Sequence, residues 1–448
     1  MKIEKLTLTN FRGVAHHSLT FHPEFNLIVG VNGVGKTSLL DALRVLLAHA
    51  LQMFAKAPRF NTEFHANDLM RGTDEMTAEL VFSCHGVGPY TYLVKKSPQK
   101  HIVNTSGGLR DQTSDTPDIR KLSHAAKPGV ILSSGPTEFK RRTDQPLGLH
   151  FSVSRSRSSH ERSRPGRTTN PGYFGAFVTD RGLRVQDFVD WLRTKEEIAK
   201  ESPEGISAKQ QAAVLNAITT MLPELFDWRL EGERLWVSKN VLRQRISEAS
   251  PTKDLQAVSE RITLQVEDLS DGERSLVVMG FDIARRLAQL NPNDPEPAKN
   301  GRGVVLIDEV DLHLHPQWQR RIIASLTSAF PNLQFIATTH SPQVIGETPP
   351  GQAILLKADG SSEVQSETLG RDSGWILRHV MDTPERNERL QAGLDEIDRL
   401  MEDGELDKAR TKVTALRAEF GDDKELIGAN AAIDRWEVLG DEMDSEGQ

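Results

Sequence analysis

The chain of 448 residues has very little cysteine: Cys84 is its only one, which excludes an intramolecular disulfide framework. A single thiol suits the reducing cytoplasm, and we expect Cys84 to be a half-buried strand residue without a reactive role. The chain also lacks a run of the about eighteen apolar residues that a membrane-spanning helix needs, and its N-terminus reads as a polar strand and not as a signal peptide. These absences predict a soluble, cytoplasmic protein that does not contact a membrane.

Positive charge is not in excess either. The chain has 55 lysine and arginine residues against 63 aspartate and glutamate residues, which gives a formal net charge of −8. Contact with nucleic acid must therefore come from a local surface. Residues 154–167 contain five arginines, and we interpret this segment either as a solvated loop or as a contact for the phosphate groups of a nucleotide or of DNA.

A phosphate-binding loop is the first motif that carries chemistry. Residues 30–37 read GVNGVGKT and fit the pattern G-x-x-x-x-G-K-[ST]. The apolar residues 25–29 predict a buried strand before the loop, and residues 37–50 predict an apolar-faced helix after it. In such a loop backbone N–H groups approach the phosphates, Lys36 reaches the outer phosphates, and the Thr37 hydroxyl ligates Mg²⁺. The sequence therefore predicts a nucleoside triphosphate site.

An acidic pair is the second motif. Asp308 and Glu309 directly follow the apolar residues 304–307, which predict a buried central strand. The C-terminal ends of such strands are where open α/β sheets bind ligands. We therefore interpret Asp308 as a ligand of Mg²⁺ through water and Glu309 as the group that orients and polarises the attacking water. The alternative is an acid pair that only caps a helix.

These motifs and three others occur in an order that resembles a known family. The segments KLTLTNFRG, GVNGVGKTSLLDAL, LSDGER, LIDEVDLHLHP and FIATTHSP resemble those of the ABC-type ATPases of the RecF, SMC and OLD group, and the match spans residues 2–50 and 264–345. The resemblance implies an α/β fold, in which an ABC-type P-loop ATPase head with a mixed central sheet and flanking helices carries an inserted lobe and a C-terminal helical tail. It also implies ATP and Mg²⁺ as cofactors and a homodimer or higher oligomer.

The resemblance implies a role for each motif residue. Ser270 and Gly272 would act in trans on the ATP of the opposite subunit, and Arg12 would lie near the nucleotide. His340, which alone could be only a satisfied imidazole at a strand end, would contact the γ-phosphate. The predicted catalytic residues are thus Glu309 and His340, and the predicted metal ligands are Thr37 and Asp308. The predicted ATP-binding residues are Arg12, Asn32, Gly33, Gly35, Lys36, Thr37, Ser38, Ser270, Gly272 and Glu273.

The chain departs from the family pattern in several places. Residues 313–316 read HLHP, a form that looks like the OLD and RecF-like branch and unlike the SALD of transporter ATPases. His313 and His315 alternate, but we discount zinc because no cysteine or second histidine pair frames them. The glutamine that senses Mg²⁺ is missing from residues 68–72, the nearest candidate region. The inserted segment lacks the long heptads of SMC arms.

Four regions follow from these patterns. Residues 1–96 are predicted to be the N-terminal part of the ATPase head, 97–260 an inserted loop-rich and helical lobe, 261–370 the C-terminal part of the head, and 371–448 a helical tail that docks a partner. Within the lobe we predict a long loop at 97–127 and helices at 185–200 and 207–222. The tail repeats apolar residues from Leu390 to Phe420 at helical spacing, which favours either a core or a docking face.

The organisation favours one function and leaves others open. An OLD-like head without the Asp-x-Asp cluster of a Toprim nuclease, followed by a helical tail, resembles the Septu-type and retron-associated ATPases of bacterial antiphage defence. In that group the ATPase assembles with a separate HNH nuclease that acts on DNA, so we predict an ATPase without a nuclease site of its own. The alternatives are a stand-alone RecF-like DNA repair ATPase or clamp, and a transporter subunit, against which the HLHP form and the helical tail argue.

Overall fold

The structure is a computed structural model that describes residues 1–99, 102–111, 142–156, 170–246, 255–357 and 359–446. These residues form two compact units, Met1–Arg371 and Asp372–Gln448. The strands are β1 (Lys2–Phe11), β2 (Val14–Thr20), β3 (Phe25–Val29), β4 (Met76–Cys84), β5 (Val87–Gln99), β6 (Ile102–Asp111), β7 (Leu147–Phe151), β8 (Leu225–Glu231), β9 (Arg234–Ile246), β10 (Leu255–Gln265), β11 (Gly303–Ile307), β12 (Leu333–Thr338), β13 (Ala353–Leu356) and β14 (Ser362–Gln365). The helices are α1 (Lys36–Phe54), α2 (Val185–Glu201), α3 (Ile206–Met221), α4 (Asp271–Leu290), α5 (Pro297–Asn300), α6 (Pro316–Gln319), α7 (Ile322–Ala329), α8 (Pro342–Gly346), α9 (Ser373–His379), α10 (Glu388–Glu402), α11 (Leu406–Phe420) and α12 (Lys424–Glu446).

A mixed sheet forms the core of the first unit. Its strand order is β14-β13-β3-β12-β11-β7; β13, β3, β12, β11 and β7 are parallel, and β14 pairs antiparallel at the edge. Strands β3 and β11 are buried along their whole length, because helices cover both faces of a parallel sheet and only apolar runs can fill it. The predicted α/β fold with a mixed central sheet and the predicted strands at 25–29 and 304–307 are confirmed.

Strand β7 lies where the sequence did not predict it. Residues 147–151 fall in the region predicted to be an inserted lobe, but they pair with β11 in the central sheet, with Gly303 opposite Leu147 and Ile307 opposite Phe151. A five-residue apolar run without a motif gives no periodicity that assigns it to one sheet. The C-terminal end of β7 therefore joins the edge of the sheet that carries the acid pair.

A second, antiparallel sheet has the order β2-β1-β4-β5-β6. Its residues alternate between buried and partly exposed positions along β4, and Cys84 at the end of β4 is buried, so its assignment to a strand is confirmed. The predicted long loop at 97–127 is wrong for its first part, since β5 continues to Gln99 and β6 pairs with it from Ile102 to Asp111. Pairing with β5 overrides the weak strand preference of this polar segment. Residues 112–127 lie outside the described residues.

The region after β7 supplies two helices and a small sheet. The predicted helices at 185–200 and 207–222 are confirmed by α2 and α3, and the apolar face of α2 is buried at Phe188, Trp191 and Leu192. The ring of Phe188 stacks on that of Phe281 in α4, with centroids 3.6 Å apart. Strands β10, β9 and β8 form a three-stranded sheet. Most of the arginine-rich segment 154–167 lies outside the described residues.

The second unit consists of helices α9 to α12. The apolar residues that recur in α10 and α11 are buried together with Leu426 and Ile433 of α12. They therefore form the core of this unit, and a docking face would have to use other residues. Across the part of the chain that the structure describes, no helix is long and apolar enough to cross a membrane.

Candidate functional site: a nucleotide site at the end of the central sheet

The phosphate loop lies between β3 and α1, at the C-terminal end of the parallel strands. Gly33 and Gly35 have φ angles of 80° and 102°, a region that glycine adopts without steric cost. Gly35 precedes the first turn of α1, so the unpaired N–H groups at the helix start face the loop. Asn32, Gly33 and Thr37 are exposed. This arrangement presents backbone donors and the positive helix end to an anion from solvent.

Lys36 is buried at the base of this loop. Its ammonium group donates to the carbonyl oxygens of Gly30 at 2.7 Å and Val31 at 3.0 Å. Burial lowers the pKa of Lys36 to about 8, and the carboxylates of Asp308 and Glu309 oppose part of that shift. The loop thus holds a lysine whose charge lacks a carboxylate at hydrogen-bonding distance, which suits a phosphate as its partner.

The acid pair meets the phosphate loop through threonines. The hydroxyl of Thr37 lies 3.3 Å and 3.5 Å from the two carboxylate oxygens of Asp308, and the hydroxyl of Thr338 donates to the same carboxylate at 2.6 Å. Two oxygen ligands of one octahedral Mg²⁺ are about 3 Å apart, so the separation of Thr37 and Asp308 fits a shared ion. The hard oxygen donors also match the preference of Mg²⁺.

Glu309 stands at a strained position. Its φ is 48°, a left-handed conformation that costs a non-glycine residue about 1–3 kcal/mol and that persists only where neighbours fix it. Its N–H donates to the hydroxyl of Thr338 at 2.8 Å. The carboxylate is only partly buried, so it remains open to a water molecule.

Arg155 completes this turn and was not singled out by the sequence. It belongs to the arginine-rich segment that we interpreted as a solvated loop or phosphate contact, yet its side chain is buried. The guanidinium donates to the carbonyl oxygens of Asp308 and Glu309, both at 2.5 Å. Only the adjacency of β7 and β11 brings these residues together, so no local sequence signal could have found the contact.

His340 follows β12, and its imidazole is half-buried. Burial, together with the positive charge of Lys36, lowers the pKa of His340, and the carboxylates of Glu309, Asp311 and Asp308 act in the opposite direction. The imidazole is therefore neutral at physiological pH and has one N–H to donate. The same charges act on Lys36 and His340, which agrees with a shared site.

Arg12 lies beside the helix that follows the phosphate loop. Its guanidinium donates to the carboxylate of Asp68 at 2.8 Å and to the hydroxyl of Ser38 at 3.2 Å, and it pairs with Asp41 at 3.1 Å. Asp68 therefore holds Arg12 in place. The residues at the strand end beside the acid pair are 152–156, after β7.

The signature residues are not brought to this loop within the chain. Ser270 caps α4, its hydroxyl 2.8 Å from the carboxylate of Glu273, and Lys239 of β9 holds the same carboxylate at 3.1 Å. In the described residues no hydrogen bond or ion pair joins Ser270, Gly272 or Glu273 to residues 30–38. Ser270 is exposed and Gly272 is buried, so the serine at the start of α4 faces solvent.

The HLHP segment packs against Gly272 of the signature. A Cβ atom on Gly272 would lie 2.9 Å from the carbonyl oxygen of His313, a distance that only glycine tolerates. His313 itself has a φ of 62°, and the ring of His315 accepts from the N–H of Gln317 at 3.3 Å. The two histidines therefore shape the turn after the acid pair and link it to the start of α4.

The low pKa of Lys36 makes ATP binding depend on pH. Phosphate favours the charged lysine, so the pKa of Lys36 is higher in the complex than its value of about 8 in the free chain. Binding then takes up a proton above pH 8, and we expect the affinity for ATP to fall by up to about tenfold per pH unit there and to stay flat below pH 7.5. Titrations with a fluorescent ATP analogue from pH 7.5 to 9.5 measure this slope.

Calorimetry supplies the control for this prediction. At pH 8.5 the binding enthalpy should depend about three times as strongly on the ionisation enthalpy of the buffer as at pH 7.5, because a lysine with a pKa of about 8 is about three quarters unprotonated at pH 8.5 and about one quarter unprotonated at pH 7.5. An affinity that stays constant up to pH 9.5 would contradict the assignment of Lys36.

Two family models match the chain. The model described as "AAA ATPase domain" matches residues 1–100, which contain the phosphate loop. The model described as "AAA domain, putative AbiEii toxin, Type IV TA system" matches residues 178–346, which contain the signature, the acid pair and His340. Together they cover both parts of the chain that form the site.

Curated relatives match over most of their length. "Retron Ec83 probable ATPase" of Escherichia coli is 25% identical, over 98% of this chain and 88% of the relative. "Retron Vc95 probable ATPase" of Vibrio cholerae serotype O1 biovar El Tor is also 25% identical, over 86% and 80%. "Septu protein PtuA" of Bacillus thuringiensis is 24% identical, over 85% and 83%. Retron ATPases and Septu PtuA are thus among the relatives of the chain, and the matches fit an ABC-type ATPase of the RecF, SMC and OLD group.

Proposed function

We propose that this chain binds ATP with Mg²⁺ at the phosphate loop and hydrolyses it with Glu309 as the residue that orients the water. The observation that carries this proposal is that the carboxylate of Asp308 meets the hydroxyl of Thr37 and that of Thr338, which also accepts the N–H of Glu309. A Mg²⁺ ion held by Thr37 and Asp308 would neutralise charge on the outer phosphates. Lys36 would exchange its loop carbonyls for phosphate oxygens.

The hydrolysis step needs little covalent chemistry from the protein. Water attacks the γ-phosphorus while the bond to the β-phosphate oxygen breaks, and the proton of the water passes to solvent or phosphate as the product forms. Glu309 would accept a hydrogen bond from that water and hold it in line. His340, which is neutral, would donate to a γ-phosphate oxygen.

The site would be completed by a second copy of the chain. Ser270 and the backbone at Gly272 begin α4, whose N-terminus favours an anion, and Ser270 is exposed. Because no hydrogen bond or ion pair among the described residues joins the signature to the chain's own phosphate loop, we infer that it closes over the ATP of the opposite subunit. ATP binding would then close a dimer, and hydrolysis would reopen it.

A separate protein would carry out the activity that ATP binding and hydrolysis control. We propose that the chain is the ATPase subunit of a bacterial antiphage defence complex whose ATP state controls a separate HNH-type nuclease acting on DNA. The support is the match to retron ATPases and Septu PtuA over most of the chain. A stand-alone RecF-like clamp is less well supported, because a RecF of Arthrobacter sp. (strain FB24) matches 18% of this chain and a RecF of Lactococcus lactis subsp. cremoris (strain MG1363) matches 36%.

Co-expression with the product of a neighbouring nuclease gene tests this output. We expect one complex in gel filtration and cleavage of plasmid DNA that depends on ATP and is lost with Lys36→Ala.

Trp436 of α12 is about half exposed, at 51%. We expect Trp436→Glu to release the nuclease while ATP hydrolysis continues, since exposed tryptophan often anchors an interface. The absence of both a complex and ATP-dependent cleavage would contradict the proposal, and DNA-stimulated hydrolysis by the isolated chain would favour the RecF-like alternative.

A further inference from the structure

The turn that carries Glu309 is held from two sides. On one side Thr338 of β12 accepts the N–H of Glu309 at 2.8 Å, and the carbonyl of Thr338 accepts the N–H of Val310 at 2.9 Å. On the other side Arg155, from the segment after β7, donates to the carbonyl oxygens of Asp308 and Glu309. Residues from the two neighbouring strands thus hold the two peptide units on either side of Glu309.

Arg155 is itself fixed in place. Its guanidinium also donates to the carbonyl of Ser152 at 3.1 Å, and its own carbonyl accepts the N–H of Leu183 at 3.2 Å. The N–H of Asp308 donates to the carbonyl of Phe151 at 2.8 Å, which continues the pairing of β7 and β11 up to the acid pair. The planar fork of an arginine directs its N–H groups at two adjacent carbonyls in a fixed geometry, whereas the ammonium of a lysine is a point charge on a flexible stem.

The charge of Arg155 is costly where it stands. Its side chain is 5% exposed, and burial lowers its pKa to about 10, although the carboxylates of Asp308, Asp311 and Glu309 oppose the shift. Among the described residues no carboxylate lies within ion-pair distance of it. A buried cation that is bonded only to carbonyls is less stable than an apolar residue of similar size, so packing alone does not explain an arginine here.

The left-handed backbone of Glu309 explains why a buried arginine stands here despite the free-energy cost of burying its charge. A φ of 48° is unfavourable for glutamate unless the surrounding bonds fix it. We propose that Arg155 is a positioning residue for ATP hydrolysis, which fixes the strained turn of Asp308 and Glu309 and thereby the direction of the Glu309 carboxylate. The inference rests on the proposed role of Glu309. It assigns a function to the end of β7, where the chain has no Mg²⁺-sensing glutamine.

The first test is Arg155→Lys in the full chain. Lysine keeps the charge but lacks the rigid fork whose two nitrogens bond the carbonyls of Asp308 and Glu309. We therefore expect kcat for ATP hydrolysis to fall about 10- to 100-fold, the loss that a displacement of about 1 Å brings. The KM for ATP and the stoichiometry of bound ATP should stay within about twofold of the parental values, because Arg155 does not contact the phosphate loop.

A matched control separates positioning from a loss of folding. Arg286 of α4 is also fully buried, and it donates to Asp282 and to the carbonyl of Gly172, each at 2.8 Å. We expect Arg286→Lys to lower the melting temperature while kcat per bound ATP stays parental. If Arg155→Lys behaves in the same way, or if its loss appears in KM or in the fraction of chains that bind ATP, the inference is overturned.

A double variant distinguishes a residue that positions Glu309 from one that only stabilises the fold. If Arg155 acts through Glu309, then Arg155→Lys should change the residual rate of Glu309→Gln by less than about twofold in single-turnover experiments. An additive loss in Arg155→Lys/Glu309→Gln overturns the inference alone. Parental hydrolysis by Glu309→Gln itself would overturn the role of Glu309, and the inference with it, so the two failures are distinguishable.

Discussion

Glu309→Gln is expected to bind ATP with parental affinity and to hydrolyse it at least about 100-fold more slowly. The amide keeps the size and the backbone bonds of Glu309, including its N–H bond to Thr338, but it cannot polarise the attacking water as a carboxylate does. Because hydrolysis would reopen the dimer, the variant should accumulate as a closed dimer with ATP. Phosphate release, equilibrium binding of ATP and light scattering measure the three effects.

The matched control for this variant is Glu363→Gln. Glu363 lies on the edge strand β14 and pairs with Lys357 at 2.7 Å, and β13 separates β14 from β3, the strand that enters the phosphate loop. Its loss should leave hydrolysis and assembly unchanged, since exposed ion pairs contribute little. Parental hydrolysis by Glu309→Gln would show that another group orients the water. A monomeric Glu309→Gln protein in saturating ATP would separate hydrolysis from dimer closure.

Ser270→Arg is expected to abolish hydrolysis, and mixing it with Lys36→Ala is expected to restore part of it. Arginine is too large for the contact that Ser270 would make across the dimer, while the variant's own phosphate loop remains intact. Lys36→Ala cannot bind ATP but keeps an intact signature. In an equal mixture half of the dimers are mixed, and one of the two sites in each is complete. We therefore expect about a quarter of the parental rate, measured as phosphate release per total chain.

This experiment decides between completion in trans and completion within one chain. Ser202→Arg, at the exposed C-terminal end of α2, controls for the added charge and size and should keep the parental rate. ATP should still bind to Ser270→Arg with parental affinity, because the phosphate loop makes no contact with Ser270. Unchanged hydrolysis by Ser270→Arg, or a mixture that stays inactive, would argue that each chain completes its own site.

The motifs could be predicted because their chemistry is local. The loop at 30–37 needs glycines next to a lysine and a threonine, and the strand at 304–307 needs consecutive apolar residues before its acid pair. Both lie within a few residues along the chain, and the structure shows the expected strands and helix around them. The helices at α2 and α3 were also predicted, since their apolar spacing is a property of one segment.

Contacts between distant segments could not be predicted in this way. The arginine-rich segment looked like a solvated loop, because a run of charge usually is, yet Arg155 is buried behind Glu309. Its partners lie more than 150 residues away along the chain, and only the place of β7 beside β11 connects them. The same holds for β6, whose polar sequence becomes a strand through pairing with β5.

The sequence by itself determined which family the chain resembles and which chemical groups are candidates for the site. The phosphate loop, the signature, the acid pair and His340 are each short motifs whose function depends on residue type and spacing. The tertiary structure decided how those groups are held: the hydroxyl of Thr338 between Asp308 and Glu309, Asp68 on Arg12, and Arg155 on the strained turn. Strand order in a sheet is fixed by packing of the whole core, so it is not encoded in any one segment.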